Sequence, residues 1–118
     1  MKSHKDLDVW QRSMELVVIV YEVTRAWPKE ELFGLTSQVR RAAVSIPSNL
    51  AEGAGRSSKA DFNRFLAIAQ GSLAEVETQL EIARRIGFSG DFQLMQQHVD
   101  SIRRMLIGLQ KSLVGHDN

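Results

Sequence analysis

The sequence predicts an all-α protein, an antiparallel up-and-down four-helix bundle. Three observations carry that prediction. Apolar residues recur at three- and four-residue steps along nearly the whole chain. The chain has two prolines, Pro28 and Pro47, and most of its other breaks fall at glycines. No strand-like alternation and no Asn-Gly hairpin signal is present. A length of 118 residues suits a single domain over 1–118. A 43% hydrophobic content is enough for a core that needs neither a metal nor a disulfide.

The first helix is expected from Lys5 to Ala26, with Leu7, Trp10, Met14, Val17, Val18 and Tyr21 on one face. Trp27-Pro28 ends it, because the residue before a proline avoids the α region. A short charged link, Lys29 to Gly34, leads to a second helix that begins at Leu35 or Thr36. Its stripe is Leu35, Val39, Ala42, Ile46 and Leu50. Pro47 falls inside that pattern, so a kink is expected. Gly53 and Gly55 close it. The third helix opens on Ser57 or Ser58 as N-cap, with Asp61 in the first turn where the helix dipole favours an acid. Its stripe is Phe62, Leu66, Ala69, Leu73, Val76, Leu80 and Ala83, an unbroken heptad pattern. Gly87 and Gly90 bracket the next turn. The fourth helix is expected from Asp91 to Leu113 with Met95, Val99, Ile102, Leu106, Leu109 and Leu113 inward, and the tail from Gly115 is expected to fray. Short links between four such helices make sequential neighbours antiparallel.

The first helix carries more apolar surface than one core needs. Val9, Leu16, Val20, Val23 and Trp27 form a second stripe nearly opposite the first. Two readings follow. Either the second stripe meets another copy of the chain, or the first helix is central and wrapped by the other three. The first is preferred, which makes Val9, Leu16, Val20, Val23 and Trp27 the expected oligomer interface. Periodicity alone does not say which stripe faces the core. Ile68, Ile82 and Ile86 show a milder form of the same excess on the third helix.

Gln38, Arg41, Ser45, Asn49 and Glu52 fall in a narrow arc of the second helix, and Ser72, Glu75 and Gln79 do likewise on the third. In an antiparallel hairpin Arg41 comes level with Glu75, so an Arg41–Glu75 ion pair is expected, with Gly71 allowing close approach there. Glu52 is placed to pair with Arg56 or Lys59. These groups read as a polar seam that fixes helix register. The competing reading, a ligand or catalytic site, lacks a marked acid or base beside a pocket.

Several function classes drop out. The absence of cysteine excludes disulfide scaffolds, thiolate zinc sites and cysteine nucleophiles, and it fits a reducing, cytoplasmic setting. His4, His98 and His116 are scattered without metal-ligand spacing, so they read as solvated or flanking residues and no metal is expected. No phosphate-binding loop, catalytic triad or dinucleotide fingerprint is present, so neither a cofactor nor an enzymatic activity is expected. The longest apolar run, Leu16 to Tyr21, cannot span a bilayer, and the N-terminus does not read as a signal peptide. Net charge is +1, but Arg40, Arg41, Arg56, Lys59 and Arg64 outnumber Glu52 and Asp61 locally. This is either an ordinary solvated turn or, repeated around an oligomer, a basic rim for RNA or another nucleic acid. By hairpin geometry Arg103 and Arg104 come level with Glu75 and Glu77, where surface pairing is expected.

The stretch Gly34 to Gly53, with its Ser-Ile-Pro-Ser-Asn-x-Ala-Glu-Gly core, resembles the four-helix bundle proteins encoded in intervening sequences of bacterial large-subunit ribosomal RNA genes. Phe65 to Leu80, Leu7-Asp8-Val9-Trp10 and Pro28 to Glu31 match the same family, so the resemblance covers nearly the whole chain. Trp27 stands where a phenylalanine is expected before the proline. The resemblance implies a bundle that assembles as a homopentamer, with no established biochemical activity. It also implies kinship with the accessory variability proteins of diversity-generating retroelements, basic pentameric barrels that bind nucleic acid and a reverse transcriptase; this chain is nearly neutral by comparison.

Overall fold

The computed structural model describes residues 3–115. The helices are α1 (Asp8–Thr24), α2 (Leu35–Ala54), α3 (Lys59–Arg85) and α4 (Phe92–Gly115), preceded and joined by 3-10 turns at His4–Asp6 and Lys29–Glu31. They form a slender bundle of 50 × 21 × 19 Å. Among the described residues α1 packs on α2 and α4, and α3 packs on the same two. Helices across a diagonal do not meet. Side-chain pairs show that every neighbour is antiparallel. Arg40 reaches back to Thr24, Ser45 meets Ser72, Gln70 meets Gln110 while Arg103 meets Glu77, and Arg12 meets Ser101. This is the up-and-down order that short links impose.

Local chemistry sets the helix ends. The Ser58 hydroxyl accepts from the backbone N–H of Asp61 at 3.0 Å and caps α3, and Asp91 caps α4 through the N–H of Leu94 at 3.0 Å. Gly87, at φ +87°, ends α3 in the left-handed region, with the Phe88 N–H returning to the Ala83 carbonyl. Pro47 sits inside α2 without ending it; the helix runs on to Ala54 and takes in Gly53. The expected tail beyond Gly115, with His116, lies outside the described residues.

The inward stripes of α2, α3 and α4 are those of the sequence. Leu35, Val39, Ala42, Ile46 and Leu50 are buried, as are Leu66, Ala69, Leu73, Val76, Leu80 and Ala83, and Met95, Val99, Ile102 and Leu106. Phe62, Leu109 and Leu113 are half-buried at the margin.

On α1 the two stripes exchange roles. Val9, Leu16, Val20 and Trp27, expected at an interface between copies, lie in the core of the single chain, and Val23 is half-buried against it. A side chain sealed in this way has no surface left for a second copy. Met14, Val18 and Tyr21, expected inside, face out, with Val18 54% exposed; Leu7, Trp10 and Val17 lie between. Two polar residues complete the inward stripe. The hydroxyls of Ser13 and Thr24, both buried, donate to the carbonyls of Val9 and Val20 at 2.7 Å. Each satisfies itself on its own helix, so the core admits it at little cost. Trp27 anchors the far end: its indole N–H donates to the Ser89 carbonyl at 2.9 Å and its ring packs on Phe88.

Candidate functional site

Two grooves flank α2. Between α2 and α3 lies a polar groove of about 600 Å³ lined by Phe33, Ser37, Gln38, Arg41, Ala42, Ser45, Ser72, Glu75 and Gln79. The sequence-predicted seam supplies most of these residues, but only its lower part is joined. Ser45 and Ser72 share a hydrogen bond at 2.8 Å, and Asn49 donates to both the carbonyl and the hydroxyl of Ser45. Glu52 pairs with Arg56 at 2.6 Å. Arg41 and Glu75 face the same groove without the expected ion pair, and both are exposed, as is Gln38. The amide oxygen of Gln79 is buried there with no protein partner. Gly71 makes no close contact; the glycine that permits tight packing of α2 on α3 is Gly53.

Phe33 is the residue that sequence reading missed. It stands at the mouth of this groove 94% exposed, the most exposed large apolar side chain of the described residues. It lies in the link between α1 and α2, outside any periodic pattern. The only signal was a Leu32-Phe33 pair at the end of a charged turn.

The second groove, about 360 Å³ between α1 and α2, is apolar. His4, Trp10, Met14, Val17, Val44, Pro47, Ser48 and Ala51 line it. It continues the outward strip of α1, so the surplus apolar surface expected of this helix is present on the opposite side from the expected one.

The basic residues do not form one patch. Arg40 donates to Thr24 at 2.8 Å and covers the Tyr21 ring at 4.6 Å, which ties it to α1. Arg41 lines the polar groove. Arg56 and Arg64 stand near the ring of Phe65, at 4.9 and 4.5 Å, and pair with Glu52 and Asp61. Lys59 is exposed at the start of α3. Arg40 and Arg56 are sixteen residues apart in chain order, about 24 Å at the helical rise. Of the surface pairing expected between Arg103, Arg104, Glu75 and Glu77, Arg103–Glu77 forms at 2.7 Å, while Arg104 and Glu75 make no ion pair among the described residues.

His98 is buried, not solvated as expected. It sits between α4 and α1 with Nδ1 lacking a hydrogen bond and the Glu15 carboxylate 4.0 Å away. Burial, and then the charge of Arg12, push its pKa below 6.5, against a smaller opposing pull from Glu15. The folded protein therefore holds His98 neutral, while the unfolded chain takes up a proton more readily. Stability is expected to be full above about pH 6.5 and to fall as pH drops through the unfolded and then the folded value. Urea unfolding between about pH 7 and pH 5 checks this; the slope should flatten in His98→Gln, and an equal slope in that variant refutes the assignment.

Among the described residues no group of acidic and histidine side chains is placed to hold a metal, and no helix is long and apolar enough to cross a membrane. A family model described as 23S rRNA-intervening sequence protein matches residues 5–108, from the first turn through most of α4. The chain belongs to that family. The match spans the buried stripes of the four helices, all of the polar groove, all of the apolar groove but His4, and the 45–53 motif of α2. No curated protein matches the chain. Membership in the 23S rRNA-intervening sequence protein family names the kin of this bundle, and the reading of its surfaces rests on their chemistry.

Proposed function

We propose that this protein is a non-enzymatic, homo-oligomeric helical-bundle module that acts as a cytoplasmic scaffold or interaction platform. The observation that carries the reading is the outward strip of α1, Met14, Val18 and Tyr21, which runs into the apolar groove shared with α2. The inward stripe of the same helix is already buried, so this surface is surplus to the single chain. A contiguous apolar face of this kind marks an interaction site. Ile82 and Ile86, exposed near the C-terminal end of α3, offer a second and unlike apolar area. Two unlike faces suit a head-to-tail contact that closes into a ring; five copies is the number the family resemblance implies. The dispersal of Arg40, Arg41, Arg56, Lys59 and Arg64 favours this reading over nucleic-acid binding by a basic rim.

Light scattering over a range of concentrations tests it. The wild type should be an oligomer, and Val18→Glu should yield folded monomers, because a buried unpaired carboxylate costs several kcal/mol of association. A wild type that stays monomeric at every concentration overturns the proposal.

A further inference from the structure

The structure assigns a second role to the polar groove between α2 and α3: we propose that it binds small zwitterions, free α-amino acids or dipeptides with an aromatic or branched apolar side chain. This reading does not rest on the assembly proposal, since the α1–α2 groove uses a different side of α2.

The charges point to such a guest. At several other places on the surface opposite charges close on one another within a helix, as in Arg12–Glu15, Asp61–Arg64 and Glu81–Arg84. Arg41 and Glu75 line one groove and make no such pair with each other. An anion alone would meet Glu75, and a cation alone would meet Arg41. A guest carrying both a carboxylate and an ammonium satisfies each, with charge-assisted hydrogen bonds at both ends. The exposed Phe33 ring supplies the apolar wall that a phenylalanine or leucine side chain covers. The Ser45–Ser72 pair closes the floor with hydroxyls already engaged to each other. A nucleotide fits less well, because a phosphate held by Arg41 would lie beside the Glu75 carboxylate.

Titration of the isotope-labelled full chain with L-phenylalanine, followed by NMR, tests the site. Saturable amide shifts are expected over residues 33–45 and 72–79, with a Kd of about a millimolar for so open a groove. L-phenylalaninamide, which lacks the carboxylate, and 3-phenylpropionate, which lacks the ammonium, should each bind about tenfold more weakly, as should phenylalanine to Arg41→Gln or Glu75→Gln. The pattern should cross: 3-phenylpropionate is weakened by Arg41→Gln and strengthened by Glu75→Gln, which removes the opposing carboxylate. Both residues are exposed, so the variants keep the fold, which their amide spectra report in the same experiment. The proposal is overturned if phenylalanine gives no saturable shift, if the three probes bind alike, or if adenosine monophosphate binds the groove more tightly.

Discussion

Leu16→Ala should cost about 2–5 kcal/mol of unfolding free energy, while Val18→Ala, two residues away, should change it by less than about 0.5 kcal/mol at a dilution where light scattering reads a monomer. Leu16 is 0% exposed in the core of the bundle, so truncation removes transfer free energy and leaves a void that the bundle closes only in part. Val18 faces solvent in the single chain. The contrast is a direct measurement of which side of α1 faces the core. Denaturant unfolding of the two variants reads it, and a larger loss at Val18 than at Leu16 would reverse the assignment of the two stripes.

Two glycines should respond to the same substitution with opposite signs. Alanine in place of glycine inside a helix ordinarily gains about 0.5–1 kcal/mol. Gly71→Ala should show that gain, because nothing lies within 4 Å of the added methyl group. Gly53→Ala should instead lose about 1–3 kcal/mol. Its Cβ would stand 2.7 Å from the Cβ of Phe65 and 3.0 Å from the Phe62 ring. A Cβ is fixed to its backbone and cannot swing aside, so α2 and α3 must part. Thermal or urea unfolding of the pair decides it, and a stabilised Gly53→Ala variant would show that this end of the hairpin is looser than its contacts imply.

The bundle was legible because α2, α3 and α4 each present one apolar stripe, which leaves one way to face a core. The first helix was ambiguous for a geometric reason. Leu7, Trp10, Met14, Val17 and Tyr21 keep heptad steps as regularly as Val9, Leu16, Val20 and Trp27 do, and they are the bulkier set. What decides between them is Ser13 and Thr24, which look polar in sequence but hide their hydroxyls on their own helix. Had these two been counted as small core residues, the stripe 9, 13, 16, 20, 24, 27 would have stood out. The hairpin register brought Arg41 and Glu75 to one groove but carried no information about side-chain reach, so the absence of an ion pair was not readable. The burial of His98 was hidden for a related reason: its neighbours Arg12 and Glu15 come from α1, more than eighty residues away in the chain.

The α2–α3 hairpin holds the most extensive helix–helix contact of the bundle, yet a turn of only four residues, 55–58, joins its arms. Closing so short a loop costs little chain entropy before the contact forms. This hairpin is therefore expected to be built in the folding transition state, with α1 and α4, which meet only through residues distant in the chain, docking afterwards. Gly53→Ala should then slow refolding, whereas Leu16→Ala should mainly hasten unfolding. Stopped-flow chevrons of the two variants would show whether the molecule assembles from its middle outward.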